Sequence, residues 1–401
     1  MGHERLGLMS LREAMDLLGV SRATFDRWRK EKRLPYIKIG KEIWVDQEQL
    51  QEWVRLHGQS RPFEPSPSLR PPPRRVVRVG YQSGAALLWS TLVIKKLGLF
   101  EEELGRLSPT GECEVVWQDA PNGMELVEEL ILGRVHIASI GDYPIMTAMA
   151  LSRILPRFNP LFLAFDGKTG AGEGISLVVP ARGAASGLDR PGERPVLTVG
   201  QSSASVRLRE WLHASGGEPA PIVSRRTMVD CYHGIVMGQA EASVMWEPYL
   251  SWVQATGAGI PVSGEGPGSD YLTGLLTERS WAAENEDVVI AYLKAHLRAH
   301  DYMRKEPAAA AEIVSAASGF PAALAEEVLS RIRWDASTYG RDLQTLLRLS
   351  DGRDGLPAEG NGSDAAFVSG GTYLQHAAEA LKLPQLPDAP LPGDWSRETP
   401  Y

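Results

Sequence analysis

The chain has 401 residues, 43% of them apolar, and a formal charge of −8. That size allows two or three domains with buried cores, and the acidic balance argues against a protein that coats nucleic acid along its whole length. Charge is nevertheless unevenly placed: residues 1–75 carry 15 Lys and Arg against 10 Asp and Glu, a net of +5, which leaves −13 on the remainder. The two cysteines, Cys113 and Cys231, are far apart and outside any CxxC pattern. This argues against a cysteine-built metal site and favours reduced thiols, with a single disulfide left open. No apolar run approaches the ~18 residues that span a bilayer. The start MGHERLGLMSLREAMDLL lacks the basic, apolar, small-residue order of a signal peptide. The expectation is a cytoplasmic protein with no membrane partner, no metal and no cofactor.

Ser10 and Glu13 form a capping box ahead of a short helix with Leu11, Ala14, Leu17 and Leu18 on one face. Gly19 ends it, and Ser21 caps a second helix, SRATFDRWRKEK, in which Phe25 and Trp28 are spaced to point inward. Arg22, Thr24, Arg27 and Lys30 are left outside. After Leu34 and Pro35, Ile37, Ile39, Ile43 and Val45 alternate around a tip at 40–42, as in a hairpin with one buried face. Asp46 and Gln49 form another capping box and open a helix carrying Leu50, Trp53 and Val54.

This order over SLREAMDLLGVSRATFDRWRKEKRLPYIKIGKEIWVDQEQLQEWV resembles the MerR/excisionase-type winged helix-turn-helix. The resemblance implies that Arg22, Thr24 and Arg27 face the major groove of operator DNA and that Lys38 and Lys41 of the wing meet phosphate or the minor groove. One small domain buries little surface on DNA, so a homodimer or higher homo-oligomer is expected. No heptad stretch offers a long coiled coil, so the dimer contacts fall to the larger part. Residues 58–75, GQSRPFEPSPSLRPPPRR, hold six prolines and four arginines and read by default as a semi-rigid spacer, with a DNA-tracking arm or a peptide ligand for a partner domain as the alternatives.

From residue 76 the pattern alternates: VVRVGY, CEVVWQDA and RVHIASIG read as strands, and ALLWSTLVIKKLG, GMELVEELILG and PIMTAMALS as helices. Such alternation predicts a parallel sheet flanked by helices, with ligands bound beyond the carboxyl ends of the strands. That places weight on the loops 82–86, 119–123 and 141–144. A second unit follows, in which PVLTVGQSSASVRLREWLHASGG is strand, polar turn and helix; hydroxyls and backbone N–H groups at the helix start suit an anion. The Arg225/Arg226 pair adds positive charge, whereas Asp142 and Glu247 favour an amine or hydroxyl-rich part. A polar organic anion or zwitterion fits both.

GYQSG at 80–84, KKLGLFEEEL at 95–104, GRVHIASIGDYPIMTAMA at 133–150, VGQSSASVRLREWL at 199–212 and GQAEASVMWEPYL at 238–250 resemble the type 2 periplasmic substrate-binding fold. The particular likeness is to the family that binds nitrate, sulfonates, taurine and thiamine precursors. The resemblance covers about residues 76–385. It implies an α/β protein of two lobes, one of about 76–170 and 265–395, the other of about 171–264, following a winged helix-turn-helix domain of residues 1–57. It places Gln82, Ser83, Gly84, Asp142, Tyr143, Ser202, Ser203 and Trp246 at the cleft, to which Arg226 and Glu247 are added on charge. Together the two resemblances imply a non-enzymatic transcriptional regulator whose effector is a small polar or anionic molecule such as a sulfonate. The alternatives are an enzyme on the same fold, of desulfinase or pyrimidine-synthesis type, and a cytoplasmic solute-binding protein. The enzyme would need a reactive cysteine, for which Cys231 beside His233 is the candidate.

Overall fold

In the computed structural model the residues described are 8–18, 22–31, 34–39, 42–46, 49–50, 53, 75–107, 113–170, 172–181, 194–215, 221–262, 270–351, 370–387 and 389–401. The chain divides into two compact units, Met1–Pro71 and Pro72–Tyr401.

In the first unit the amphipathic patterns close on one small core. Helices Leu11–Leu18 and Arg22–Glu31 and the strands Ile37–Ile39 and Glu42–Asp46 are all present. Ala14, Phe25, Leu34, Val45, Leu50 and Trp53 pack together, with Met9, Leu11 and Met15 against them. Asp46 Oδ1 accepts the Gln49 N–H at 2.9 Å, which is half of the expected capping box.

The hairpin differs from the expectation. Ile37 pairs with Trp44 and Ile39 with Glu42, so the ladder extends one residue further into the tip than a 40–42 turn allows. A one-residue change of register moves every side chain of one strand to the other face. Ile37 therefore lies on the opposite face from Ile43 and Val45, and Ile37 is 39% exposed while Val45 is fully buried. A third strand, Leu8–Ser10, pairs antiparallel with Glu42–Asp46; three residues are too few to show an alternating pattern.

Among its described residues the second unit holds two sheets. The six-stranded sheet runs Arg333–Trp334, Pro160–Thr169, Tyr271–Glu278, Ile137–Gly141, Arg75–Tyr81, Cys113–Asp119. The five-stranded sheet runs Ile222–Arg225, Val196–Val199, Ala242–Trp246, Ile175–Pro180, Gly259–Pro261. Both sheets are mixed rather than parallel. Arg75–Tyr81 is parallel to both its neighbours, but Tyr271–Glu278 returns antiparallel between Ile137–Gly141 and Pro160–Thr169. Local β-α alternation predicts the parallel part; the antiparallel strands arrive from distant segments that local periodicity cannot orient.

Helices cover the sheets with apolar faces. The 20-residue helix Glu286–Lys305 buries Val289, Tyr292, Leu293, His296, Leu297 and His300. It packs against the helices Ser90–Leu97, Leu99–Leu107 and Gly371–Ala380. The loops that follow the parallel strands are left at one end of the six-stranded sheet, facing the second lobe.

Candidate ligand cleft and DNA-reading surface

Three loops meet at that end because a glycine lets them. A Cβ on Gly123 would lie 2.7 Å from Pro144 Cγ and 3.5 Å from Gln82 Nε2, so only glycine admits this approach of the 82–86, 119–123 and 141–144 loops. Gln82 is buried, and its Nε2 donates to the Ser139 carbonyl at 3.3 Å. The Ser83 N–H donates to Asp119 Oδ1 at 3.0 Å, and the Ser83 carbonyl accepts from Trp89 Nε1 at 2.9 Å. The second lobe docks on this loop: Trp246 Nε1 donates to the Gly84 carbonyl at 2.9 Å, and the Ala86 N–H donates to the Glu247 carbonyl at 2.8 Å. Gln82, Ser83, Gly84, Trp246 and Glu247 are thus brought together. The Glu247 carboxylate, however, turns to its own helix, accepting from the Ser251 N–H at 3.0 Å and Oγ at 2.7 Å and pairing with Arg331 at 3.2 Å. Burial pushes its pKa up, against the pull of those partners.

A second group forms around Asp142, which is fully buried. Its Oδ2 lies 2.7 Å from Arg207 Nη2 and accepts the Leu272 N–H at 3.3 Å, and its Oδ1 accepts the Ser203 hydroxyl at 2.6 Å and the Tyr143 N–H at 2.7 Å. Asp142, Tyr143 and Ser203 therefore meet, across the two lobes. Arg207 was not anticipated; the available signal was its position four residues after Ser203 on one helix face. Arg207 also donates to the Asp270 carbonyl at 2.6 Å. Ser202 serves its own helix: its Oγ donates to the Val199 carbonyl at 2.6 Å and accepts the N–H groups of Ala204 and Ser205 at 3.2 and 3.3 Å.

At the rim, Arg226 of the second lobe makes a forked pair with Glu125 of the first, at 2.9 and 3.1 Å. Asn122, which caps the Glu125 helix, donates from Nδ2 to the Arg226 carbonyl at 3.4 Å. The hydrogen bond from Arg226 holds the Glu125 carboxyl below its ordinary pKa. Asn122 lies in the 119–123 loop, but Glu125 is absent from the sequence's candidate residues, although N-x-x-E ahead of an apolar run is a capping signature.

On the small unit, Arg22, Lys30 and Lys38 are exposed. Arg22 Nε is 3.8 Å from Asp26, which also pairs with Arg29 at 3.4 Å. The side chains of Thr24 and Arg27, and Lys41 altogether, lie outside the described residues, as does the spacer up to residue 74.

The helix-turn-helix domain family matches residues 8–55. Solved structures match the larger unit. The alkanesulfonate-binding protein SsuA from Xanthomonas axonopodis pv. citri, bound to MOPS, is 18% identical with a TM-score of 0.56, over 71% of this chain and 93% of that one. The periplasmic nitrate-binding protein NrtA from Synechocystis PCC 6803 is 15% identical with a TM-score of 0.60, over 79% and 92%. The chain joins a helix-turn-helix domain to a type 2 periplasmic-binding-protein fold. A Candida albicans protein described as having the generic periplasmic binding protein fold also aligns, at 12% identity and a TM-score of 0.54, over 80% and 99%. No curated protein matches the chain.

Within the binding-protein fold, Cys231 and His233 do not form a dyad. Cys231 is fully buried and His233 exposed, and burial pushes the thiol pKa up to about 12. Both cysteines are free thiols. Among the described residues, no helix is long and apolar enough to cross a membrane.

Proposed function

We propose that this protein is a ligand-responsive transcriptional regulator: the helix-turn-helix domain binds operator DNA, and the cleft of the binding-protein fold takes a small polar or anionic organic molecule of the sulfonate class. The observation that carries the reading is the presence of both domains in one chain. The bound MOPS of the SsuA relative and the nitrate of NrtA motivate the anionic class. The cleft charges support it in a specific way. Asp142 is balanced by Arg207, and Arg226 reaches Glu125 from an exposed position, so an anion entering the cleft can take the Arg226 guanidinium from Glu125 and change the contact between lobes. Lobe geometry is then the two-state element, and a tenfold change in operator affinity asks for only about 1.4 kcal/mol of differential ligand affinity between states.

DNA sites are read as a homodimer or higher homo-oligomer, the protein works in the cytoplasm, and it carries out no catalysis. Gln82, Ser83, Gly84, Tyr143, Ser203 and Trp246 shape the cleft, with Asp142 and Ser202 setting its frame and Arg226 meeting the anion; Glu247 contributes through its backbone. Arg22, Thr24, Arg27, Lys30, Lys38 and Lys41 meet DNA. The test is fluorescence anisotropy on fragments of the protein's own promoter region, with and without alkanesulfonates, taurine and nitrate. Sequence-specific binding whose affinity changes with one of these anions supports the reading, and absence of specific DNA binding under every condition removes it.

A further inference from the structure

Asp166, on the strand Pro160–Thr169, and His296 and His300, on the helix Glu286–Lys305, meet in the core of the first lobe. All three side chains are fully buried. One oxygen or ring nitrogen from each lies within 4.8 Å of those of the other two. The four-residue spacing puts both imidazoles on one helix face. Asp166 Oδ2 is held by the hydroxyls of Ser90 at 2.7 Å and Ser139 at 3.4 Å, which leaves Oδ1 for the rings, 2.9 Å from His300 Nε2.

The tautomer of His296 follows from its partner. Its Nε2 is 2.9 Å from the Phe165 carbonyl, which can only accept, so the proton is on Nε2. Nδ1 is then a bare lone pair, and among the described residues it has no hydrogen-bond partner. A buried, unpartnered acceptor is costly, and here its ring stands 4.1 Å, centroid to centroid, from the His300 imidazole. His300 has its other nitrogen, Nδ1, 2.9 Å from the Tyr401 hydroxyl. Every ligand-type atom therefore has its opposite atom supported: Phe165 and Tyr401 hold the rings and the two serines hold the carboxylate, as in metal sites where a second layer orients the ligands. The nearby cations are turned elsewhere, Lys168 to Asp342 at 2.6 Å and Arg304 to the Trp334 carbonyl at 2.8 Å.

We propose that Asp166, His296 and His300 form a buried structural site for a divalent transition-metal cation of the zinc class. His296 Nδ1, His300 Nε2 and Asp166 Oδ1 are the ligands, with a fourth position left to water; two imidazoles and a carboxylate suit such an ion. On binding, the His300 proton moves to Nδ1 and donates to the Tyr401 hydroxyl. The cation ties the helix Glu286–Lys305 to the central sheet. This departs from the expectation of no metal, which rested on the cysteines.

The test uses the full chain, unfolded in denaturant with EDTA, freed of chelator, and refolded with or without zinc. After dialysis, elemental analysis should find a single zinc per chain. The thermal midpoint should rise by roughly 5 °C when zinc is a hundredfold above its dissociation constant. Cobalt in place of zinc should give the visible absorption of a four-coordinate ion. His296→Leu, which also fills the space, and Asp166→Asn, which keeps the side-chain shape, should each lose the zinc and the thermal response, whereas His376→Gln at the surface keeps both. Wild-type protein that refolds without retaining zinc and melts at the same temperature with and without it overturns the proposal, whether or not the variants fold. Undiminished zinc in folded His296→Leu overturns it as well.

Discussion

Replacing Arg207 by methionine should destabilise the binding-protein fold more than any other single change at the cleft. Arg207 is 9% exposed and its partner Asp142 is fully buried, with 2.7 Å between Nη2 and Oδ2. Removing one member of a buried ion pair leaves the other charge uncompensated and costs ~3–5 kcal/mol. Asp142 retains the Ser203 hydroxyl and the N–H groups of Tyr143 and Leu272, so the low end applies, about 3 kcal/mol. With a urea dependence near 3 kcal/mol/M, the midpoint of the larger unit should fall by about 1 M. The assay is equilibrium urea unfolding followed by tryptophan fluorescence, with the Asp142→Leu/Arg207→Met double variant alongside. If the pair acts as argued, the double variant recovers part of the loss, because no lone charge remains buried. A midpoint for Arg207→Met within about 0.2 M of wild type, or a double variant weaker than both singles combined, would refute the reasoning.

Phe25 is fully buried in the core of the helix-turn-helix domain, and Phe25→Ala should cost ~3–5 kcal/mol there; DNA binding should vanish in anisotropy while the urea transition of the larger unit is unchanged. Lys38→Ala should weaken DNA binding about equally for all sequences and flatten its salt dependence. Cys231 should resist thiol reagents at pH 8 until denaturant is added, since burial pushes its pKa up to about 12. The sign for stability follows: the unfolded thiol ionises first, so this contribution is intact below about pH 9 and is lost as pH rises towards 12. Cys231→Ala should remove that alkaline slope from the thermal midpoint. Glu125 has the opposite sign, because Arg226 lowers its folded pKa; its contribution is present above the unfolded carboxyl pKa and is lost as pH falls through the lowered one. Arg226→Gln should flatten that acid-side loss.

Much of the fold was legible because its signals are local. Capping residues, period-3.6 stripes and short apolar runs locate the helices Arg22–Glu31, Gly123–Ile131 and Asp142–Leu151 and the strands around them. The loops at 82–86, 119–123 and 141–144 follow from strand ends, and the structure does draw them together. What those side chains do was not legible. Asp142 reads as a ligand group or a helix cap, and its pairing with Arg207 depends on two lobes meeting across 65 residues of sequence. Arg226 reads as a free cation until Glu125, 101 residues earlier, is placed beside it.

By itself the sequence determined the local elements, because hydrophobic period, caps and turn residues act over a few residues and survive without knowledge of partners; that a helix-turn-helix domain precedes a two-lobed α/β fold came from the resemblance its motifs carry. Tertiary structure decided the rest: the hairpin register that turns Ile37 outward, the antiparallel return of Tyr271–Glu278, and the meeting of Asp166 with a histidine pair about 130 residues later. Each depends on which distant segments share a buried interior, and there an unpaired charge or lone pair is costly enough to dictate its neighbours.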